Sequence, residues 1–243
     1  MHMDELIICV QVILVPVEYV HNDRAPDSKL HGLHIKRFFD IKQWIDQSTD
    51  IDKYTNLILT DFRDTMFQSN PFAQITSEGV YQFEEQYLLK DNAWNIKWLS
   101  SCLGRNLTDK LISHNFTVVC VGVVMGRLPF MLEYLHHLVN AMMRIQPTSA
   151  EVANDCRHGL DTAAHYEVTL HHLPLVNTIP YGEGQTSHFL KEPIMVDSLG
   201  RVLNHHGVPY AILHQADRHP QVWDKFLAAY PYLSSSPRRA MRV

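Results

Sequence analysis

No pair of cysteines in this sequence has the CxxC spacing of a zinc ribbon or a dithiol redox centre. Its four cysteines, Cys9, Cys102, Cys120 and Cys156, are scattered along 243 residues. That usage predicts reduced thiols packed in a core rather than a disulfide framework. HExxH and CxxC…HxxxH are missing too, so the sixteen histidines do not spell a zinc motif. Several form adjacent pairs (His136-His137, His171-His172, His205-His206), and neighbours on a helix point to different faces. Most are expected to be surface or structural residues. A strong excess of charge is lacking as well. The formal net charge is −5 and the pI about 6.3, so electrostatics do not drive the chain onto nucleic acid.

Long apolar runs are also scarce. Leu6 to Val17 is interrupted by Gln11 and is too short to span a bilayer. Asp4 and Glu5 precede it, where a secretory signal carries positive charge. The segment reads as a strand, with no membrane span expected. The sequons Asn106-Leu107-Thr108 and Asn115-Phe116-Thr117 then read as chance matches, and the cytoplasm is the expected compartment. Neither an internal repeat nor a domain boundary is visible. One domain over residues 1–233 is expected, followed by a flexible Ser/Pro/Arg tail over 234–243.

What is present is globular: 46% hydrophobic and 19% charged residues supply ample material for a core. Apolar spacing predicts helices over 30–47, 93–103, 128–145 and 220–230, with one or two more over 149–172. Short β-branched runs predict strands over 57–60, 80–83 and 116–124. Strands alternating with helices imply an α/β layered fold with a mainly parallel sheet flanked by helices.

The strand Leu57–Thr60 ends in Asp61, Arg63 and Asp64. In open α/β sheets, ligands bind beyond the carboxyl ends of strands. Carboxylates preorganised there suit a hard divalent ion, Mg²⁺ or Mn²⁺, which takes one or two protein carboxylates and completes its shell with phosphate and water oxygens. Arg63 is placed to hold phosphate, to pair with a carboxylate, or to tie the loop down. A bare D-x-x-D equally fits an acidic turn closed by an Arg–Asp salt bridge. Gly122 and Gly126 allow a close approach, by a ligand or by packed backbone.

The stretch Asp61-Phe62-Arg63-Asp64-Thr65-Met66-Phe67-Gln68-Ser69-Asn70-Pro71-Phe72 resembles the "DxRDxxFQxxPF" segment of a group of glycosyltransferases with the GT-A fold. Further blocks follow in the same order. Val121 to Gly126 with Met131 to Leu135 is similar to their small-residue strand and helix. Gly159-Leu160-Asp161-Thr162-Ala163-Ala164-His165 is similar to their "G-I-D-Q-x-x-H/N". His214-Gln215-Ala216-Asp217-Arg218-His219-Pro220 is similar to their "HQxDRHP". Thr162 stands where a glutamine is usual, and few residues precede the acidic motif.

The resemblance implies a GT-A-like, Rossmann-like domain that moves a sugar from a nucleotide-diphosphate sugar to a glycan or other hydroxyl acceptor. It implies Mn²⁺ or Mg²⁺ at Asp61, Asp64 and His214, with Asp64 in direct contact and Asp61 also reaching ribose. Arg63 and Arg218 become phosphate contacts, and Gly122 lines the donor sugar. Asp161 is placed beside the donor sugar or the acceptor hydroxyl, as base or as sugar contact; from its position near the start of a helical stretch it equally fits a simple N-cap. Two other readings remain open. One is metal-assisted phosphohydrolysis, against which the D-x-x-D spacing counts. The other is a GT-A-like domain that binds sugar or nucleotide without turnover.

Overall fold

The computed structural model describes residues 33–61, 64–145, 150–173, 175–188 and 193–229. The expected strand over 6–17, Arg63 and the tail over 234–243 lie outside them. Helix α1, Leu33–Gln47, precedes strand β1, Asn56–Thr60. Strands β2, Thr65–Phe67, and β3, Val80–Leu88, follow. Helices α2, Ala93–Leu103, and α3, Arg105–Ser113, lead into the long strand β4, Thr117–Arg127. Helices α4, Leu128–Arg144, and α5, Ala150–His171, come next. The chain closes with β5, Val176–Ile179, β6, Thr186–His188, β7, Ile212–His214, and α6, Pro220–Ala229. Among the described residues no helix is long and apolar enough to cross a membrane.

These strands form two mixed sheets flanked by helices, in the orders β1-β4-β3-β5 and β2-β7-β6. The expectation of a mainly parallel sheet is corrected. β1–β4, β3–β4 and β2–β7 are antiparallel, and β3–β5 and β6–β7 are parallel. Alternation of strand and helix implies parallel pairing where a single helix crosses the sheet. Two helices, α2 and α3, separate β3 from β4, and α3 was missed because the apolar stripe of its RNLTDKLIS sequence is too short to stand out.

The main core lies between the first sheet and the helices. Pro129 sits in the first turn of α4, where its missing N–H costs nothing. The apolar stripe of that helix, Met131, Leu135, Leu138 and Met142, is buried against Phe38, Val80, Val124, Leu160 and Ala164. The expectation of reduced cysteines is corrected in part. Cys102 on α2 and Cys156 on α5 form a disulfide, with Cα atoms 4.9 Å apart, whereas Cys120 is a buried free thiol. A separation of 54 residues hides the contact of α2 with α5 from the sequence. Gly159 permits it: a Cβ there would lie 2.2 Å from the Trp98 side chain.

Candidate metal centre between the two sheets

The functional side chains collect where the two sheets meet. Asp61 follows β1 and Asp64 precedes β2, so two carboxylates three positions apart stand at the ends of strands from different sheets. The backbone holds both ends. The Asp61 amide donates to Gly122 O at 3.0 Å, Thr65 Oγ1 donates to Asp61 O at 2.5 Å, and the Ala216 amide donates to Asp64 O at 3.1 Å. On the β3–β4 ladder the register jumps from Gln82↔Val124 to Phe83↔Cys120. Val121, Gly122 and Val123 are thereby freed from pairing with β3, a bulge of the kind that re-aims side chains at sites.

His214 ends β7 and is fully buried. Its Nε2 lies 3.4 Å from Asp61 Oδ2 and 3.6 Å from Asp64 Oδ1. The structure therefore brings together Asp61, Asp64 and His214, residues 153 positions apart at the extremes (214 − 61). Burial lowers the His214 imidazole to about 4, against the opposing pull of Asp64 and Glu85. At neutral pH the ring is uncharged and offers a lone pair. Asp64 Oδ1 and His214 Nε2 are both buried without a hydrogen-bond partner. Leaving such acceptors unpaired is costly, and a cation among them removes that cost.

Gly122 does not face open space for a sugar. A Cβ there would fall 2.2 Å from His214 Cε1, 2.6 Å from His214 Nε2 and 3.0 Å from Asp61 Oδ2. The residue is glycine because an imidazole occupies the place of its side chain. Arg37 on α1 went unnoticed in the sequence. Its guanidinium pairs with Asp61 Oδ1 and lies 3.7 Å from Asp161 Oδ2. It therefore ties Asp161 to the carboxylate cluster and leaves Asp61 Oδ2 facing His214. Burial raises the Asp161 carboxyl, while His34 and Arg37 oppose the shift. Asp161 Oδ1 accepts from the Thr162 amide at 2.8 Å. Arg218 is exposed on a 3-10 turn, Ala216–Arg218, and its charge reaches Glu85 and His214.

Three more buried groups stand behind His214: His188, Cys120 and Glu85. The alternation of β4 was the available signal for Cys120, which lies two residues before Gly122 on the same face. Nothing in the sequence marked His188, because only the β6–β7 register brings it opposite His214.

One turn beyond Asp161, His165 accepts from or donates to the Tyr134 hydroxyl through Nδ1 at 2.9 Å. Burial holds this imidazole at about 3. Its folded value lies below the unfolded value of about 6.5, so its stabilising share is complete above that pH and is lost as pH falls toward 3. His188 is lowered for the same reason, whereas the raised carboxyls of Asp161 and Glu85 act in the opposite sense. His165→Asn, which keeps a partner for Tyr134, isolates one term. The loss of unfolding free energy between pH 7 and pH 5 is expected to shrink by about 2 kcal/mol. Urea unfolding of both proteins at the two pH values checks this.

These elements define a mixed α/β protein with a carboxylate–imidazole cluster at a sheet junction. No protein-family model matches the chain, and a search of curated protein sequences gives no match.

Proposed function

We propose that the protein is a metal-dependent glycosyltransferase of GT-A-like fold. It would take a nucleotide-diphosphate sugar as donor and a glycan or other hydroxyl as acceptor, with Mn²⁺ or Mg²⁺ at Asp61, Asp64 and His214. The observation that carries this reading is the convergence of two carboxylates and a neutral imidazole whose facing atoms, Asp64 Oδ1 and His214 Nε2, are buried and unpartnered. The motif order that resembles GT-A glycosyltransferases supports it.

A bound divalent ion would neutralise the diphosphate of the donor and make it a better leaving group. Asp61 divides its oxygens, one to Arg37 and one toward the cation. Arg37 fixes the distance between the metal carboxylates and Asp161. Asp161 receives the acceptor proton, and the burial that raises its carboxyl makes it a stronger base than an exposed carboxylate. Arg218 contributes positive charge toward the phosphates. Arg63 is assigned the same role from its motif position alone.

The proposal includes a cytoplasmic setting, where disulfides are rare. The Cys102–Cys156 bond, with Cys156 buried and Cys102 half-buried, is the feature that fits this setting least. The cleft lined by Arg37, Phe38, Leu59, Asp61 and Val121 has a volume of about 10 Å³, room for one water, so entry of a nucleotide sugar requires it to open.

The test is a thermal-shift screen of nucleoside diphosphates and nucleotide sugars with and without Mn²⁺. A ligand at 100 times its Kd contributes about 2.7 kcal/mol, or roughly 5–10 °C for a chain of this size. A Mn²⁺-dependent shift confined to one nucleotide is expected. No shift with any nucleotide sinks the transferase reading, and a shift without sugar transfer or hydrolysis selects the binding reading.

A further inference from the structure

We propose a second metal site, for a borderline-soft divalent ion of the Zn²⁺ or Co²⁺ class, formed by Cys120 Sγ, His188 Nδ1 and His214 Nδ1. The three side chains are buried, and a ligand atom of each lies within 4.8 Å of the other two. Their origin is architectural. His188 and His214 are register partners on parallel strands β6 and β7, so their rings meet on one face, and Cys120 enters from β4 of the other sheet.

The distances suit a tetrahedral ion. Bonds of about 2.3 Å to sulfur and about 2.0 Å to nitrogen place S and N about 3.6 Å apart, and two nitrogens about 3.3 Å apart. Cys120 Sγ lies 3.6 Å from His214 Nδ1, and His188 Nδ1 lies 2.9 Å from it. The sulfur–nitrogen pair already fits, the nitrogen–nitrogen pair needs an opening of about 0.4 Å, and the third pair, Cys120 with His188, lies within 4.8 Å. A thiolate with two imidazoles is a donor set for Zn²⁺ or Co²⁺ and a poor one for Mg²⁺ or Mn²⁺. Glu85 faces both Cys120 and His214; its charge attracts a cation, and in the absence of one it joins burial in raising the Cys120 thiol. His188 Nε2 is buried without a hydrogen-bond partner, so the Nδ1 edge that faces the cluster carries the polar contact of the ring. When the ion binds, the Cys120 thiol proton is released to solvent.

The site also sets up a competition. A cation at Asp61 and Asp64 uses His214 Nε2, and the ring proton then sits on Nδ1 and is donated to His188. An ion at Cys120 and His188 uses His214 Nδ1 and moves the proton to Nε2, which faces Asp61 Oδ2 at 3.4 Å and Asp64 Oδ1 at 3.6 Å. That is the carboxylate–histidine–metal arrangement in which outer carboxylates orient a ligand ring. One imidazole therefore serves one cation at a time, and Zn²⁺ antagonises Mn²⁺. The competition rests on the proposed function; the soft site does not.

The experiment is a Co²⁺ titration of the full chain followed by visible and near-ultraviolet absorption. A thiolate-to-cobalt charge-transfer band is expected in the native protein. It disappears in Cys120→Ser and in His188→Gln, each checked for native circular dichroism, and it persists in Asp64→Asn. Excess Mn²⁺ weakens the apparent Co²⁺ affinity of the native protein but not of Asp64→Asn. Absence of the band from the native protein, or its survival in folded Cys120→Ser, overturns the site. A Mn²⁺ thermal shift without the band sinks the soft site alone. The band without any Mn²⁺ shift leaves the soft site standing and removes the carboxylate site.

Discussion

Gly122→Ala is expected to abolish Mn²⁺ binding and to lower the unfolding free energy by about 1–3 kcal/mol, the range for overpacking a well-filled interior. The added methyl would lie 2.2 Å from His214 Cε1 and 3.0 Å from Asp61 Oδ2. A flexible side chain could swing away at little cost, but the His214 ring cannot. It is fully buried, and its Nδ1, the ring atom next to Cε1, is held by His188 at 2.9 Å. Strain relief must move β7 or β4, and either movement separates the imidazole from Asp64. Gly104→Ala is the control. A Cβ at Gly104 meets nothing within 4 Å, although its φ of +86° with ψ of 158° is a glycine-only conformation whose backbone cost is about 1–3 kcal/mol. Both variants should lose stability in urea, and only Gly122→Ala should lose Mn²⁺ binding by calorimetry. Full Mn²⁺ affinity in Gly122→Ala would detach His214 from the cation site.

The contrast between these glycines shows which parts of the molecule were legible in the sequence. Helices with a one-sided apolar stripe were, because burial of one face imposes a 3.6-residue period: α2 over Ala93–Leu103 and α4 from Leu128 coincide with their apolar runs. Strand β1 was legible up to its acidic end. Strand direction was not. Pairing depends on how many helices intervene, and α3, nine residues with apolar positions only at Leu107, Leu111 and Ile112, is too short for its stripe to stand out. The disulfide was hidden for a related reason, since it depends on the packing of α2 against α5. Within the site, Asp61 and Asp64 are local to one turn, and a motif resemblance pointed to His214. Arg37, Cys120 and His188 are brought there by three separate elements. Side chains that act through register or through helix packing carry no spacing that a linear sequence can display.

Asp64→Asn should make the metal-free protein more stable and the metal-bound state unattainable. Asp64 Oδ1 is buried with no hydrogen-bond partner, and a second carboxylate, Asp61, stands across the same imidazole. A buried acceptor left unpaired costs about 1–3 kcal/mol, more when it is charged. An amide of the same shape removes the charge and can pair with His214 Nε2 in either tautomer, donating to the bare nitrogen or accepting from its N–H. A gain of about 1–2 kcal/mol corresponds to a rise in Tm of roughly 2–8 °C at this chain length. The amide is a far poorer ligand for a hard cation, so Mn²⁺ affinity should fall by more than about 100-fold, beyond the 10–100-fold range of outer-shell changes. Asp64→Ala should lose Mn²⁺-dependent donor binding in the same way, without the new hydrogen bond. Residues kept for function at the expense of stability show this opposition. An ordinary acidic turn predicts otherwise, with no Mn²⁺ shift in the native protein for the variants to lose. Calorimetric Mn²⁺ titration together with the Tm of the metal-free forms separates the two. Native-like Mn²⁺ affinity in Asp64→Asn would remove Asp64 from the ligand set, whatever happens to the Tm.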